Sequence, residues 1–366
     1  NEHVNNHLLN SAITRLALQT WRFCTGAADR EFNEVALRTP AVIASILTII
    51  FVAMIGLELG GTWVGLGAAA LLALHPWHIR YSFEAKGYSF MLCFICITLM
   101  ALLHALRRDK ILAWLVFAVA QAGFLLSFAG SLYVAVALNA MMLVELLLRR
   151  EVRRIPTLIG FNLLSAIPVL IWMLPSIPQI TAYLQSAEIL HTPIGLSWLI
   201  DFGSHILSGL LYSNGDPAEH IGTSWTAQLS ASPLWLPVMG IVIPLLAAVG
   251  VLLAIFRRSP GRLAVVAIVG AGVLSITQNM LSGESLLVWY LLYLLIPFCL
   301  AIPFALSRIF ARAETLGWLA TLTIVTVFGI VTQSARATFV WHDRQAIRAV
   351  AEAAHDRHPE AITGVF

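Results

Sequence analysis

Residues 40–57 read PAVIASILTIIFVAMIGL, a largely apolar run that contains no charged side chain. An α-helix rises about 1.5 Å per residue, so roughly 20 such residues cross the hydrocarbon core of a bilayer. Similar apolar runs recur along the chain, at 35–57, 62–79, 88–106, 111–127, 131–148, 155–175, 233–256, 263–281, 286–307 and 314–333. The sequence therefore predicts an all-α, polytopic transmembrane helix bundle of about ten spans.

The composition excludes a soluble enzyme. Apolar residues make up 59% of the 366 residues and charged residues only 11%, whereas a soluble domain carries roughly 25% charged residues. The mean hydropathy of +0.84 requires an apolar solvent around most of the outer surface. A net charge of +3 gives no indication of a nucleic-acid partner. We therefore expect the lipid bilayer to surround the protein and no nucleic acid to bind.

The chain divides into three regions, at residues 1–34, 35–333 and 334–366. In the first region, the apolar residues between Leu8 and Leu18 predict an amphipathic helix that lies at the membrane interface. The second region holds the spans and a long loop at 176–232, whose apolar part at 194–212 predicts a re-entrant or interfacial helix. The third region is more polar and is expected to begin an extracytoplasmic domain. Because the chain starts at Asn1 and not at a methionine, we expect a fragment truncated at both ends.

Basic side chains cluster in four loops between the predicted spans. The clusters follow the third, fifth, seventh and ninth spans and comprise Arg107, Arg108, Lys110, Arg149, Arg150, Arg153, Arg154, Arg257, Arg258, Arg262, Arg308 and Arg312. Lys and Arg are enriched in cytoplasmic loops of membrane proteins. The pattern therefore predicts that these four loops are cytoplasmic, and that the N-terminal segment, the long loop and the C-terminal tail face outward.

The most informative polar stretch lies between the second and third spans, where residues 75–88 read HPWHIRYSFEAKGY. Arg80 and Lys86 are the only outward cations that the sequence places between Arg38 and Arg336. Charges at membrane depth are costly and usually have a function. One cation about 4 Å from a phosphate oxygen contributes roughly 4 kcal/mol at an effective dielectric constant near 20. The alternative is a loop without a ligand, in which Glu84 pairs with Arg80 or Lys86.

Three short elements resemble motifs of one enzyme family, in the family's order. The run YSFEAKGY at 81–88 resembles the YS-x-E-A-R-G-Y signature of the membrane-embedded GT-C glycosyltransferases, the relatives of protein O-mannosyltransferases and of the aminoarabinose transferases to lipid A. The run NNHLLN at 5–10 is similar to their first outer loop, and EVALRTP at 34–40 resembles the segment that enters their next span. Later spans are similar in hydropathy and topology only.

The resemblance implies transfer of a sugar from a polyprenyl-phosphate donor to a hydroxyl of a glycan, lipid or protein acceptor. It also implies that the transfer is inverting and is assisted by an aspartate base. That base would lie upstream of Asn1, so no catalytic residue is assigned within this chain. The implied site faces the periplasm or exterior of a bacterial inner membrane, beneath an extracytoplasmic layer of loops. The implied roles are donor-phosphate binding for Lys86, Arg80 and Arg38, site organisation for Glu84 and Tyr88, and an acceptor loop at Asn6 and His7.

Lys86 departs from the family pattern, which has arginine at this position. Lysine keeps the positive charge but lacks the planar fork that binds a phosphate through two hydrogen bonds. We therefore still expect Lys86 to attract the donor phosphate through its charge, but not to bind it through two parallel hydrogen bonds.

Histidine pairs raise the question of a metal site. His3 and His7 are spaced i, i+4, and His75 and His78 are spaced i, i+3. Either spacing places two imidazoles on one helical face, but no compact third ligand completes either set. We therefore expect no cofactor and no metal ligand, and a divalent metal is the disfavoured alternative.

A secondary transporter or flippase of an amphiphilic substrate is the alternative function. Such a protein is expected to show internal repeats, broken spans in matching halves and charges near the bilayer midplane. The sequence shows no repeat, and its outward charges lie at span ends, which favours the enzyme.

Some polar and aromatic residues within the spans carry further expectations. Asn139, Glu145 and Asn162 are predicted to pair between helices, with an i, i+4 pair between Glu145 and Arg149 as the alternative for the glutamate. The three aromatic residues Trp289, Tyr290 and Tyr293 predict an interfacial belt.

Overall fold

The computed structural model describes residues 7–28, 31–84, 86–178, 194–195, 198–199, 202–203, 235–256, 259–283, 286 and 288–341. Within these residues the protein is all-helical, with twelve α-helices, four short 3-10 helices and no β-strand. The predicted fold class is therefore confirmed. Most of the segment predicted as a helix at 194–212, most of the loop at 176–232 and the chain beyond Trp341 lie outside the described residues.

The twelve α-helices run in chain order as α1 (Leu8–Thr25), α2 (Glu34–Gly60), α3 (Thr62–Leu74), α4 (Pro76–Phe83), α5 (Tyr88–Arg108), α6 (Ile111–Ser127), α7 (Leu132–Leu148), α8 (Ile155–Met173), α9 (Trp235–Ile255), α10 (Arg262–Ser282), α11 (Leu295–Ile309) and α12 (Glu314–Trp341). A 3-10 helix, Val288–Leu294, leads directly into α11. The last helix continues past residue 333, where the sequence predicted its span to end.

The protein crosses the membrane several times. In the part of the chain that the structure describes, seven helical stretches have the length and composition of a span: Glu34–Gly60, Tyr88–Arg108, Ala129–Leu148, Val152–Met173, Arg262–Ser282, Trp289–Ile309 and Glu314–Gln333. Shorter apolar helices, at Thr62–Leu74, Ile111–Ser127 and Val242–Ile255, occupy the remaining predicted spans. Each predicted span therefore contains an apolar helix, and the multi-pass architecture is confirmed.

The outer surface of the bundle is apolar. On α2, Ile43, Ile46 and Ile50 are 52%, 53% and 49% exposed and recur with a helical period, so they form one stripe along the helix. By contrast, α5 and α11 are largely buried and form the centre of the bundle. Exposed apolar stripes around a packed centre suit a hydrocarbon solvent and would be a liability in water.

The bundle has two chemically different ends. We call the end where α5, α7 and α11 finish the basic end, because it carries the loops at 107–110, 149–154 and 308–312. We call the opposite end, where α2, α5 and α7 begin, the site end. All the sequence motifs of interest at 34–40 and 75–88 lie at the site end.

Ion pairs join neighbouring helices at the basic end. The Arg107 guanidinium on α5 donates to Glu58 Oε1 on α2 over 2.7 Å. The Glu145 carboxylate on α7 accepts from Arg149 Nε over 2.8 Å and from Arg262 on α10 over 2.5 Å. The predicted i, i+4 pair of Glu145 is therefore confirmed, and a second arginine makes it an interhelical pair as well.

A closed amide network occupies the interior of the bundle between α6, α7 and α8. Asn139 Nδ2 donates to Gln121 Oε1 over 2.8 Å, Gln121 Nε2 donates to Asn162 Oδ1 over 2.8 Å, and Asn162 Nδ2 returns to Asn139 Oδ1 over 2.7 Å. Gln121 also donates to Ser165 Oγ on α8 over 2.7 Å. The predicted pairing of the two asparagines is confirmed, although Gln121, its central member, was not foreseen.

The second predicted span, at 62–79, is broken into two helices. Pro76 has no N–H to continue the hydrogen-bond ladder of α3, and the residue before a proline favours an extended conformation. His75 accordingly has ψ 123° at the end of α3, and Pro76 begins α4. The His75 Nδ1 atom accepts the Trp77 N–H over 3.3 Å and caps the new helix. The break detaches α4 from the apolar span and directs it towards the Glu84 loop.

The N-terminal helix α1 packs against α2 and α6. Asn10, Thr14 and Leu18 form its buried face, and Gly26 ends it with φ 67°, in the left-handed region that glycine tolerates. Arg22 Nε donates to the Glu31 carbonyl over 2.9 Å and fixes the connection to α2. The predicted helix is thus present and longer than expected, while its location at the membrane interface stays a prediction.

Candidate functional site

Glu84 lies between two cations at the site end. Its Oε1 atom accepts from Arg80 Nε over 2.9 Å, and its Oε2 atom lies 3.1 Å from Lys86 Nζ. The side chains of Arg80 and Glu84 are 15% and 12% exposed, whereas that of Lys86 is 41% exposed. The three side chains therefore form one cluster with a surplus positive charge, and its ammonium group is the most accessible member.

Two aromatic rings hold the Arg80 guanidinium. Its Cζ atom lies 5.2 Å from the ring centre of Trp77 and 5.6 Å from that of Tyr81, and these two rings stack on each other. Both aromatic side chains are buried. A cation over an aromatic face is attracted by the ring quadrupole. No role was predicted for Trp77 and Tyr81 from the sequence, although their spacing from Arg80 and Glu84 puts all four on one helical face.

Gly87 permits the close approach of the Glu84 loop to the end of α6. A Cβ atom at this position would lie 1.9 Å from the Ser127 carbonyl oxygen and 2.7 Å from His7 Nδ1. The requirement is one of space, since Gly87 has an ordinary φ of −68°. Gly87 thus fixes where the neighbouring Lys86 lies relative to α6.

His7 and Tyr88 lie in an aromatic cluster next to this loop. The His7 ring makes an edge contact with Tyr88 at 5.2 Å and stacks on Phe128 at 5.9 Å. Tyr88, which is 3% exposed, contacts Tyr81 at 4.7 Å and so joins this cluster to the rings beneath Arg80. The predicted site organiser Tyr88 and acceptor-loop residue His7 are therefore brought together, whereas Asn6 lies outside the described residues.

The surroundings of the His7 imidazole favour its neutral form. Burial lowers its pKa from the ordinary value of 6.5, the hydrogen bond to the Ser127 carbonyl opposes this shift, and the nearby Lys86 charge lowers the pKa further. The Nδ1 atom lies 2.8 Å from the Ser127 carbonyl oxygen. A carbonyl oxygen only accepts, so Nδ1 carries the proton and Nε2 has the acceptor lone pair.

Arg38 lies at the same end of the bundle but outside the Glu84 cluster. It forms an i, i+4 ion pair with Glu34 in the first turn of α2. Further along α2, Ser45 Oγ donates to Ser89 Oγ over 3.1 Å, and Ser89 Oγ donates to the Tyr81 carbonyl over 2.7 Å. Arg38 precedes Ser45 by two helical turns, roughly 10 Å along the axis. The structure thus places Arg38 on the helix that lines the loop, with its own carboxylate partner.

The end of α6 links the aromatic cluster to the 3-10 helix that precedes α11. The Phe128 ring lies 5.3 Å from Tyr290, and Tyr290 makes an edge contact with Trp289 at 6.4 Å. Tyr293, however, is fully buried, and its hydroxyl lies 3.4 Å from the Ala271 carbonyl oxygen. The predicted interfacial belt is therefore wrong for Tyr293, because the 3-10 helix turns this ring into the core.

The histidine pairs do not form a metal site within the described residues. No group of three His, Cys, Asp or Glu side chains in that part of the chain is arranged to hold a metal ion. His75 contacts the rings of Phe298 and Phe328, and His78 is buried in α4. His3 lies outside the described residues.

The geometry suits the binding of an anion and not the removal of a proton. Both carboxylate oxygens of Glu84 are engaged by cations, so this carboxylate holds Arg80 and Lys86 in place. The partly exposed ammonium group of Lys86 can contact a phosphate directly. The guanidinium of Arg80, held in place by Glu84, adds a second electrostatic attraction to the same anion.

A comparison with protein families matches residues 21–172 to the model named dolichyl-phosphate-mannose-protein mannosyltransferase. The match includes Arg38, Arg80, Glu84, Lys86 and Tyr88, and it ends at the close of α8. No curated protein matches the chain. Residues 21–172 are therefore similar to the dolichyl-phosphate-mannose-protein mannosyltransferase family of GT-C membrane glycosyltransferases, as the motifs predicted.

Proposed function

We propose that this protein transfers a sugar from a polyprenyl-phosphate donor to a hydroxyl group of a glycan, lipid or protein acceptor at the site end of the bundle. The observation that carries the proposal is the Arg80–Glu84–Lys86 cluster, which lies in the family-matched segment at the end of a membrane span. The identity of the sugar and of the acceptor is not part of the proposal.

The donor phosphate binds at Lys86, supported by Arg80. Departure of the sugar leaves additional negative charge on the phosphate, and fixed cations stabilise that charge most where water is scarce. Arg80 is anchored by Glu84 and two aromatic rings, so it costs little reorganisation, and Lys86 is exposed enough to reach a ligand. Arg38 acts as a third, more distant cation on α2.

Glu84 and Tyr88 organise the site. Glu84 sets the separation of the two cations, and Tyr88 joins the rings beneath Arg80 to those around His7. The acceptor approaches on the side of Asn6 and His7. The reaction inverts the anomeric centre, and the family resemblance implies an aspartate as the general base.

The site end faces outward, to the periplasm or exterior of a bacterial inner membrane. Support comes from the positive loops at 107–110, 149–154 and 308–312, which lie at the opposite end of the bundle. The lipid donor enters sideways from the bilayer, along the exposed apolar faces of the spans, so that its phosphate meets the outer cations.

The proposal is tested with the full-length protein in nanodiscs and a radiolabelled polyprenyl-phosphate sugar. We expect Lys86→Ala to weaken donor binding by about tenfold, or roughly 1.4 kcal/mol, less than a buried pair would give because the ammonium is partly solvated. Lys86→Arg should keep most of the affinity, and Arg312→Ala at the basic end serves as the exposed-cation control.

Two results would overturn this function. Unchanged donor affinity and transfer in both Lys86→Ala and Glu84→Gln would remove the assigned site. Movement of intact donor across the bilayer without a glycosylated product would instead support the transporter alternative.

A further inference from the structure

Two loops at the basic end are joined by a single arginine. Arg154 Nε lies 3.1 Å from Asp109 Oδ2, and its guanidinium also donates to the carbonyl oxygens of Ala105 and Leu106, each over 3.2 Å. A further pair, over 2.9 Å, links Arg154 to Glu151 in its own loop. The loop after α5 and the loop after α7 therefore lie side by side.

The acidic side chains of these loops are already engaged. Asp109 is bound by Arg154 and by the Trp114 indole, which donates to its Oδ1 over 2.9 Å. Glu151 pairs with Arg154, and Arg149 pairs with Glu145. In these two loops, four exposed cations have no carboxylate partner among the described residues: Arg108, Lys110, Arg150 and Arg153. We call these four residues the basic patch.

The backbone at Arg150 adds an independent observation. The α7 helix ends with the Glu151 N–H bonded to the Leu146 carbonyl over 2.8 Å and the Arg150 N–H bonded to the Leu147 carbonyl over 3.0 Å. This Schellman motif normally places glycine at the left-handed position. Arg150 adopts φ 60° there, so the chain carries a cation where local geometry favours a residue without a side chain.

Exposed apolar residues border the basic patch. Ile111 and Leu112 directly follow Lys110 and are 71% and 65% exposed, and Leu148, two residues before Arg150, is 69% exposed. A ligand that satisfies this surface needs an anionic head for the cations and apolar chains for the adjoining residues. Soluble phosphate and nucleic acid lack the second property.

We infer that the basic patch, Arg108, Lys110, Arg150 and Arg153, binds the headgroup of an anionic phospholipid at the basic end of the bundle. Basic pockets between membrane helices are suited to such headgroups, and each cation near the surface strengthens the attraction. The acyl chains lie along the exposed apolar residues at the start of α6 and the end of α7. The site is separate from the Glu84 cluster and does not depend on the proposed transfer reaction.

The test uses the full-length protein in phosphatidylcholine nanodiscs that contain a small fraction of fluorescent phosphatidylglycerol, with energy transfer from the protein's tryptophans as the readout. Each single Gln substitution in the basic patch should lower phosphatidylglycerol affinity by roughly fivefold. The loss should shrink at high salt, because the patch is exposed. Arg312→Gln, an exposed arginine on a different basic loop, is the matched control.

Arg150→Gly separates lipid binding from folding. It should lower phosphatidylglycerol affinity as much as Arg150→Gln while leaving the melting temperature unchanged or raised, since glycine suits the left-handed position. The inference is overturned if neutralising all four cations leaves phosphatidylglycerol affinity equal to that of the control. It is also overturned if soluble glycerol phosphate competes as well as the lipid at equal concentration, which would indicate a phosphate site.

Discussion

At the scale of single residues, Gly87 controls the position of the candidate donor site. A methyl group there would lie 1.9 Å from the Ser127 carbonyl oxygen, and a backbone atom cannot move aside as a flexible side chain can. We expect Gly87→Ala to destabilise the protein by about 1–3 kcal/mol through overpacking, and to lower donor affinity because Lys86 is displaced with the loop. Thermal unfolding in detergent and donor binding measure the two effects.

Gly160→Ala is the matched control for this substitution. Gly160 lies in α8, and an added Cβ atom would meet no other atom within 4 Å. Alanine favours a helix over glycine by about 1 kcal/mol, so this variant should be as stable as the wild type or more so. Equal behaviour of the two alanine variants would show that the close approach at Gly87 is not required.

At the scale of helices, the amide network explains how α8 stays in the bundle. Leu158 and Ser165 are the only residues of α8 that are buried, so apolar packing contributes little to its position. Gln121 donates to both Asn162 and Ser165 on α8 and accepts from Asn139 on α7. Polar contacts of this kind are a principal means of helix association in lipid, where burial of apolar surface gives no driving force.

We predict that the network is strongly non-additive. Gln121→Leu leaves the side-chain oxygen of Asn162, Oδ1, without the hydrogen bond that Gln121 donates to it. The loss should lower the free energy of unfolding by about 1–2 kcal/mol. The triple variant that places leucine at Gln121, Asn139 and Asn162 removes the amides together and should be less destabilised than the sum of the three single variants. Thermal unfolding of the four variants in the same detergent measures this, and strictly additive losses would contradict the prediction.

The spans were predictable from the sequence because each one is a local property of hydropathy and length. The break at Pro76 and the burial of Tyr293 were missed, since hydropathy does not report a lost N–H or the direction of a ring. In the candidate site, Arg80 and Glu84 meet at i, i+4 spacing within one short segment. The contact of His7 with Ser127 joins residues 120 positions apart. Local sequence patterns do not report which distant residues meet in the fold, so this contact could not be predicted.

At the scale of the whole molecule, the two ends differ in how their charges are arranged. At the basic end, Glu58 and Glu145 pair with arginines of their own or a neighbouring helix, and exposed cations remain. At the site end, Arg80 and Lys86 both pair with Glu84, and the Arg80 guanidinium lies over the ring of Trp77. The first arrangement orients a chain in the membrane, and the second creates one localised anion site, so the charge distribution serves both insertion and the proposed chemistry.

The orientation itself can be tested with a native cysteine. Cys24 is exposed near the connection that leads into α2 at the site end, whereas Cys93, Cys96 and Cys299 are buried. We expect a membrane-impermeant maleimide to label the wild-type protein in right-side-out vesicles and to leave Cys24→Ser unlabelled. In that Cys24→Ser background, Arg312→Cys should react only after the vesicles are permeabilised, because the basic loops are predicted to face inward. The reverse labelling pattern would place Lys86 on the cytoplasmic side and remove the outward-facing donor site.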